Sequence, residues 1–238
     1  MLIKLSDGSQ YNINKEQLVQ LKNEGTYGNG SIDWMKPGNY LYEIMEQLNI
    51  ENLVAIKVDE KIASREAFIS EDCHIDCITA DSSAGAEILQ RTGAFLLAYS
   101  MFMLEENAFT YLNEGIEDEY FYYDFLALPK NHNSLNESGL EKLGSIIAET
   151  LKSGKQIKQK KAPYFLVIKE LGKRGEHELI KKIDEIDDNG PIDVQVLQNF
   201  FSIYTGPLAC NLKIIKEVQL VKLVDKEDFY RIYGKTVI

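Results

Sequence analysis

The sequence predicts an α+β protein built as two successive units, and three observations carry that prediction. Over the first eighty residues, short alternating runs flank turn signals and a single apolar helical face. Residues 86–104 then read as one long helix with few charges, the pattern of a helix buried against a sheet. An aromatic, strand-like block, Tyr120-Phe-Tyr-Tyr-Asp-Phe125, and an amphipathic helix come after it. A chain of 238 residues has room for one large domain or two small ones. Its hydrophobic content of 45% and charged content of 26% are ordinary for a globular protein.

The first unit is placed at 1–81. Leu2-Ile-Lys-Leu5 and Tyr11-Asn-Ile-Asn14 alternate around Asp7-Gly8, a hairpin signal. Residues 17–35 hold the only tryptophan, Trp34, among several glycines, and read as a surface elaboration. Pro37-Gly38 opens a stretch in which Leu41, Ile44, Met45 and Leu48 share one helical face, with the proline near its first turn. Leu53-Val-Ala-Ile-Lys-Val58 is the next strand, Asp59-Glu60-Lys61 a polar turn, and Cys73-His-Ile-Asp-Cys-Ile-Thr-Ala80 the last strand. The order β-β-α-β…β suits a β-grasp, ubiquitin-like fold.

Ser82-Ser-Ala-Gly85 is a short linker, and the second unit runs from 84 to 238. After the buried helix and the aromatic strand, Ser138 with Glu141 reads as a capping box. The helix it starts has Leu140, Leu143, Ile146, Ile147 and Leu151 on one face and stops near Gly154. A further helix is expected around 168–183, across Gly175-Glu176. Tyr230-Arg-Ile-Tyr-Gly234 reads as the last strand.

These phrases together resemble the N-terminal region of threonyl-tRNA synthetases. Lys4-Leu-Ser-Asp-Gly-Ser9, Lys57-Val-Asp-Glu-Lys61 and Cys77-Ile-Thr-Ala-Asp81 are similar to phrases of that family's TGS domain. Glu87-Ile-Leu-Gln-Arg91-Thr-Gly-Ala-Phe95-Leu-Leu-Ala98, with Tyr204-Thr-Gly-Pro-Leu208, resembles the two signature segments of its editing domain. The departures are the extra residues at 17–35, Glu119-Tyr120 where the family has a glycine before its aromatic block, and a missing Gly-Ala-Tyr-Trp-Arg-Gly segment near the end. In the family, the first signature carries His-x-x-x-His on a helix and the second Cys-x-x-x-His, four side chains that can hold a zinc ion at a site handling mischarged tRNA. Residue by residue, those positions are Arg91, Phe95, Tyr204 and Leu208 in this chain. The resemblance thus implies a TGS-like β-grasp domain at 1–81 and an editing-like domain at 84–238, with all four ligands replaced. An Arg-x-x-x-Phe helix with such a second segment is also similar to the N-terminal part of uridine-kinase-like nucleoside kinase fusions.

Residues four apart on a helix share a face, so a His-x-x-x-His pair can grip one metal ion. Arg91 brings a fixed charge and no acceptor, Phe95 and Leu208 have no lone pair, and the Tyr204 phenol ionises only near about pH 10. The expectation is therefore no metal and no cofactor. Two readings of Arg91 remain open. In one it pairs with a nearby acid such as Asp124 while Phe95 fills the vacated volume. In the other it receives an anionic or base-like ligand in a cleft made by Arg91, Phe95, Tyr122, Asp124, Tyr204, Gly206, Pro207 and Leu208, with the two tyrosines as stacking surfaces.

Lys152, Lys155, Lys158, Lys160 and Lys161 form a local basic cluster, read as a solvated helix end and loop or as an RNA-phosphate contact. Cys73-His74-x-x-Cys77 resembles a metal motif, but on a strand positions 73 and 77 lie about 13 Å apart and His74 faces away. Core or edge-strand thiols fit better. His132 and His177 read as surface residues, and Glu117-Asp118-Glu119 as a solvated turn. Neither Gly-x-x-x-x-Gly-Lys-Ser/Thr nor Gly-x-Gly-x-x-Gly occurs, so no P-loop or Rossmann phosphate site is expected.

The net charge of −11, most of it in residues 1–83, argues against broad, sequence-blind nucleic-acid binding. The longest nearly uncharged apolar run is half a membrane span, the N-terminus lacks a signal-peptide pattern, and three cysteines without a secretion signal fit a reducing compartment. A cytoplasmic protein without membrane contact is expected. An aminoacylation core does not fit in this length. Three functions stay open: a non-catalytic RNA- or nucleotide-binding regulatory module, with a kinase or synthetase as catalytic partner; the N-terminal regulatory half of a nucleoside kinase; and a metal-independent aminoacyl-tRNA editing hydrolase.

Overall fold

Two runs of alternating residues open the chain as β1 (Leu2–Leu5) and β2 (Gln10–Asn12), antiparallel and joined through Gly8 in the left-handed region at φ +86°. The computed structural model of the protein describes residues 2–5, 8–12, 17–20, 35–48, 50–64, 67–105, 109–127, 136–186 and 190–238. These divide into two units, Met1–Thr79 and Ala80–Ile238. Both mix helices with sheets, as the α+β expectation requires.

The first unit continues with β3 (Gln17–Gln20), β4 (Met35–Tyr40), α1 (Leu41–Leu48), β5 (Leu53–Val58), β6 (Lys61–Ile62), β7 (Phe68–Ile69) and β8 (Cys73–Thr79). Its main sheet has the order β2-β1-β8-β5-β6, with β1 and β8 parallel at its heart and the other pairs antiparallel. Ile3, Ile56 and Ile75 from the sheet meet Leu41 and Ile44 from α1 in one apolar core. Cys73 and Cys77 pack against that core, and burial pushes the Cys73 thiol up to about 11.

The helix does not begin at Pro37-Gly38. Those residues lie in β4, paired with β3, and α1 starts at Leu41, where the Glu43 carboxylate accepts the Tyr40 N–H at 2.9 Å. That reach back to the N-cap amide is half of a capping box, and it sets the start. The region read as a surface elaboration thus contains β3 and the first residue of β4. Its remainder, including Trp34, lies outside the described residues, as do Asp7 and His132.

The second unit comprises α2 (Ser83–Leu104), β9 (Phe109–Glu117), β10 (Tyr120–Ala127), α3 (Glu137–Lys152), β11 (Lys158–Ala162), α4 (Tyr164–Lys173), α5 (His177–Ile186), β12 (Ile192–Leu197), β13 (Phe200–Ile203), a 3-10 turn at Leu212–Ile214, β14 (Glu217–Lys226) and β15 (Phe229–Val237). An antiparallel sheet of order β14-β15-β10-β9 and a smaller one of order β11-β12-β13 hold α2, which buries residues on every side. Phe95, Tyr99 and Phe102 converge on Phe200 of β13, and Gly93 lets α2 settle onto Phe121 of β10. No helix among the described residues is long and apolar enough to cross a membrane.

Two helix boundaries differ from expectation. Asn136, rather than Ser138, caps α3: its side chain accepts the Gly139 N–H at 3.0 Å, satisfying an amide that the helix itself leaves unpaired. The single helix expected at 168–183 is two, because Gly175 takes φ +71° between α4 and α5. At this break Arg174 and Glu176 form a buried ion pair, Nη2 donating to Oε2 at 3.1 Å. Arg174 Nη1 also donates to the Phe201 carbonyl at 3.0 Å.

Burial raises the Glu176 carboxyl to about 7, against the opposing pull of Arg174. Between the ordinary carboxyl value near 4.5 and about 7, the folded protein keeps a proton that the unfolded chain has released, so this group makes stability fall as pH rises through that window. Glu176→Gln removes the dependence. Relative to the parent, the variant is expected to gain roughly 3 kcal/mol between pH 4.5 and 8 in urea-unfolding measurements. A difference that does not change with pH would refute the assignment.

Candidate functional site

The two segments that resemble the editing signatures meet through one side chain. Arg91 projects from α2 and donates from Nη2 to Glu87 Oε1 at 2.8 Å, one turn back, and from Nη1 to the Thr205 carbonyl at 3.0 Å. Its Nε is buried without an acceptor. Gly206 stands against it at φ +152°, where an added Cβ would lie 2.9 Å from Arg91 Cζ. Glycine is therefore what allows the guanidinium to press onto this loop.

Further hydrogen bonds fix the loop. Tyr204 N–H donates to the Asp193 carbonyl at 2.8 Å, and Gln195 Nε2 to the Gly206 carbonyl at 2.7 Å. Ala209 N–H donates to Thr92 Oγ1 at 2.9 Å, while Thr92 itself donates to the Ile88 carbonyl. Thr205 Oγ1 donates to Glu114 Oε1 of β9 at 3.1 Å. The loop is thus pinned to α2, β9 and β12 together.

Beside this junction a cleft of about 750 Å³ opens between α2 and the β9–β10 hairpin. That is within the size range of small-molecule sites. Helix α2 contributes Ser83, Ala86, Glu87, Gln90, Arg91 and Ala94, and the hairpin contributes Glu114, Gly115, Ile116, Asp118 and Glu119. Five of the eleven are charged, four of them carboxylates. Packing around Glu114 raises its carboxyl above the ordinary value, with the Thr205 hydrogen bond and the Arg91 and Lys182 charges acting the other way. Lys235 pairs with Glu119 and holds its carboxyl below the ordinary value.

The expected cleft residues separate into three places. Arg91, Tyr204 and Gly206 come together; Pro207 and Leu208 continue that loop, half-buried. Phe95 lies in the core against Phe200, with 4% of its surface exposed, and is not among the residues lining the cleft beside Arg91. Tyr122 and Asp124 sit on the other face of the sheet from Phe121, Tyr123 and Phe125, as strand alternation demands. Asp124 does not partner Arg91. It takes Arg231 in a bidentate pair, with Nε at 2.6 Å and Nη2 at 2.8 Å, and the same guanidinium stacks 4.0 Å above the Tyr122 ring.

The five lysines also separate. Lys152 ends α3 and Lys155 follows it, whereas Lys160 opposes Val194 and Lys161 opposes Asp193, so these two point to opposite faces of β11. All five are exposed. His74 is 3.7 Å from Asp76, and His177 is exposed at the start of α5. Sequence reasoning did not single out Glu114, Thr205, Glu87 or Arg231. Only Glu87, four residues before Arg91 on one helix, carried a local signal.

None of Arg91, Phe95, Tyr204 and Leu208 suits zinc. The guanidinium is cationic and already engaged, two side chains have no lone pair, and burial raises the Tyr204 phenol further from ionisation. Among the described residues, no group of three or more His, Cys, Asp or Glu side chains is arranged to hold a metal ion.

No protein-family model matches the chain. It is similar to a region of threonine–tRNA ligases. The protein of that name from Ehrlichia ruminantium (strain Gardel) is 26% identical over 193 residues, covering 78% of this chain and 30% of the ligase. Those of Acinetobacter baylyi and Francisella philomiragia are 25% and 27% identical over 192 and 189 residues, each covering 29% of the ligase. The chain thus spans about 30% of the length of the curated relatives it matches. The similarity supports a tRNA-synthetase-related module.

Proposed function

We infer that the chain is a TGS-like β-grasp unit followed by an editing-like unit that has lost the family's metal ligands, and that it binds an RNA end or a nucleotide-like ligand without catalysing a reaction. The observation that carries this reading is the Arg91–Thr205 junction beside an open cleft of about 750 Å³. There the two signature-like segments are joined by hydrogen bonds. The sheet order β2-β1-β8-β5-β6, with its central parallel pair, supports the β-grasp assignment. The similarity to threonine–tRNA ligases over 78% of the chain supports an RNA ligand.

The test is titration of the purified chain with uncharged tRNA, acceptor-stem RNA and nucleotides. Saturable binding on the order of tens of micromolar or tighter is expected for at least one of them. Deacylation of Ser-tRNA is expected to stay at the uncatalysed background with both the parent chain and Arg91→Ala. An Arg91-dependent rate would replace the binding role with hydrolysis. Saturation by none of the three ligands would remove the reading.

A further inference from the structure

Where α2 passes the break between α4 and α5, the second unit holds a cavity of about 30 Å³, apart from the cleft beside Arg91. Phe102 of α2, Phe109 of β9 and Phe200 of β13 wall it, and Tyr111, Tyr123, Arg174 and Glu176 supply its polar groups. Each of these four keeps less than a tenth of its surface exposed. Arg174 has two nitrogens engaged, Nη1 with the Phe201 carbonyl and Nη2 with Glu176. Its Nε lies 3.1 Å from Glu176 Oε1, outside hydrogen-bonding geometry, and is buried without an acceptor. Neither tyrosine hydroxyl makes a hydrogen bond among the described residues, although buried phenols ordinarily find a partner. Burial pushes both phenols up, so both keep the proton and can donate.

Size and charge decide what fits. A water needs roughly 10–15 Å³ and two to four polar partners, and both conditions are met here. The space is far below the roughly 300 Å³ at which small-molecule sites begin. With Glu176 ionised, the pair it forms with Arg174 has no net charge to attract an ion. With Glu176 protonated, an anion would still face Glu105, which lines the cavity, and Glu114, which acts on both tyrosines. A cation would meet the guanidinium in either state. Glu176, raised by burial to about 7, occupies both protonation states near neutral pH. Water donates to the carboxylate and accepts from the acid, so one occupant serves both.

We propose that this cavity is a binding site for one internal water, held by Arg174 Nε, Glu176 and the hydroxyls of Tyr111 and Tyr123. Nε and one hydroxyl donate to its lone pairs, while Glu176 and the other hydroxyl take its protons, which is the full complement of a water by count. The water supplies the acceptor that Nε lacks and ties the α4–α5 break to β9 and β10. The site is independent of whatever enters the cleft beside Arg91.

The test is a high-resolution crystal structure of the full chain, with further crystals soaked in bromide or pressurised with xenon. A water peak within hydrogen-bonding distance of Arg174 Nε, Glu176 and at least one of the two hydroxyls is expected. The double variant Tyr111→Phe with Tyr123→Phe keeps the walls, removes two of the four partners and should lose the peak. Tyr123→Phe alone should lower its occupancy and serves where the double variant folds poorly. Glu176→Gln retains a donor and an acceptor and should keep the water. Three results overturn the proposal: a cavity without a peak, xenon in it, which marks a dry apolar space, or an anomalous bromide signal in it, which marks an ion site. A peak unchanged in the double variant removes the tyrosines as its partners and overturns the proposed coordination.

Discussion

Asp124→Ala is expected to destabilise the second unit by about 2–4 kcal/mol, because it removes both charge-assisted hydrogen bonds that a buried carboxylate makes to a partly buried guanidinium. Asp124 keeps 4% of its surface exposed, and both its oxygens receive the Arg231 guanidinium. That guanidinium lies over Tyr122 and reaches Glu117 at 3.6 Å, so its orientation is set by the carboxylate beneath it. For a unit of this size the thermal midpoint should fall on the order of 10 °C. Asp124→Leu combined with Arg231→Met replaces both charges with apolar groups and should recover much of the loss, because no unpaired charge remains. A single substitution costing less than about 1 kcal/mol would mean that the pair behaves as an exposed one.

Gly93→Ala carries the second large effect, and here the sign decides between two forces. Helix propensity alone favours alanine over glycine by about 1 kcal/mol. Yet a Cβ at position 93 would stand 2.5 Å from both Phe121 Cε1 and Thr236 Oγ1. Phe121 is wholly buried, pressed also by Gly234 from β15, and Thr236 Oγ1 donates to the Leu89 carbonyl. Neither neighbour can retreat, so a net loss of roughly 3 kcal/mol is expected from overpacking. Phe121→Leu in the Gly93→Ala background opens space at that contact and should cost less than the sum of the two single changes. Stabilisation by Gly93→Ala alone, measured in urea unfolding, would contradict the close approach of α2 to the sheet.

The elements that were legible in the sequence are those whose pattern is local. The long uncharged stretch became α2, the aromatic block became β10, and the Tyr230-to-Gly234 run became part of β15. Helix α3 was legible from its apolar face, but its cap was not, because Asn136 and Ser138 are both good caps and only the geometry chooses. Gly175 was read as part of one helix, since a glycine inside a helical pattern is tolerated unless the chain must turn there. Strands β9 and β11–β14 gave too little alternation to be singled out, and tertiary pairing supplies what propensity does not.

The site divides along the same line. Arg91 and the 204–208 segment were recognisable as two segments that belong together, and Glu87 was within reach of helical spacing. The face on which Tyr122 and Asp124 lie follows from strand period only after the sheet's inner side is known. Glu114, from a hairpin that periodicity did not reveal, became part of the site only through folding.

By itself the sequence determined the two-unit α+β organisation, the long helix of few charges that carries Arg91, and the presence at 91, 95, 204 and 208 of residue types that do not suit zinc. These are properties of residue type and local spacing. Only the tertiary structure decided that Asp124 serves Arg231, that Phe95 belongs to the core, and that the cleft beside Arg91 is walled by carboxylates. Those facts depend on which distant strands are brought beside α2, and burial and charge balance are properties of that assembled surface rather than of any segment.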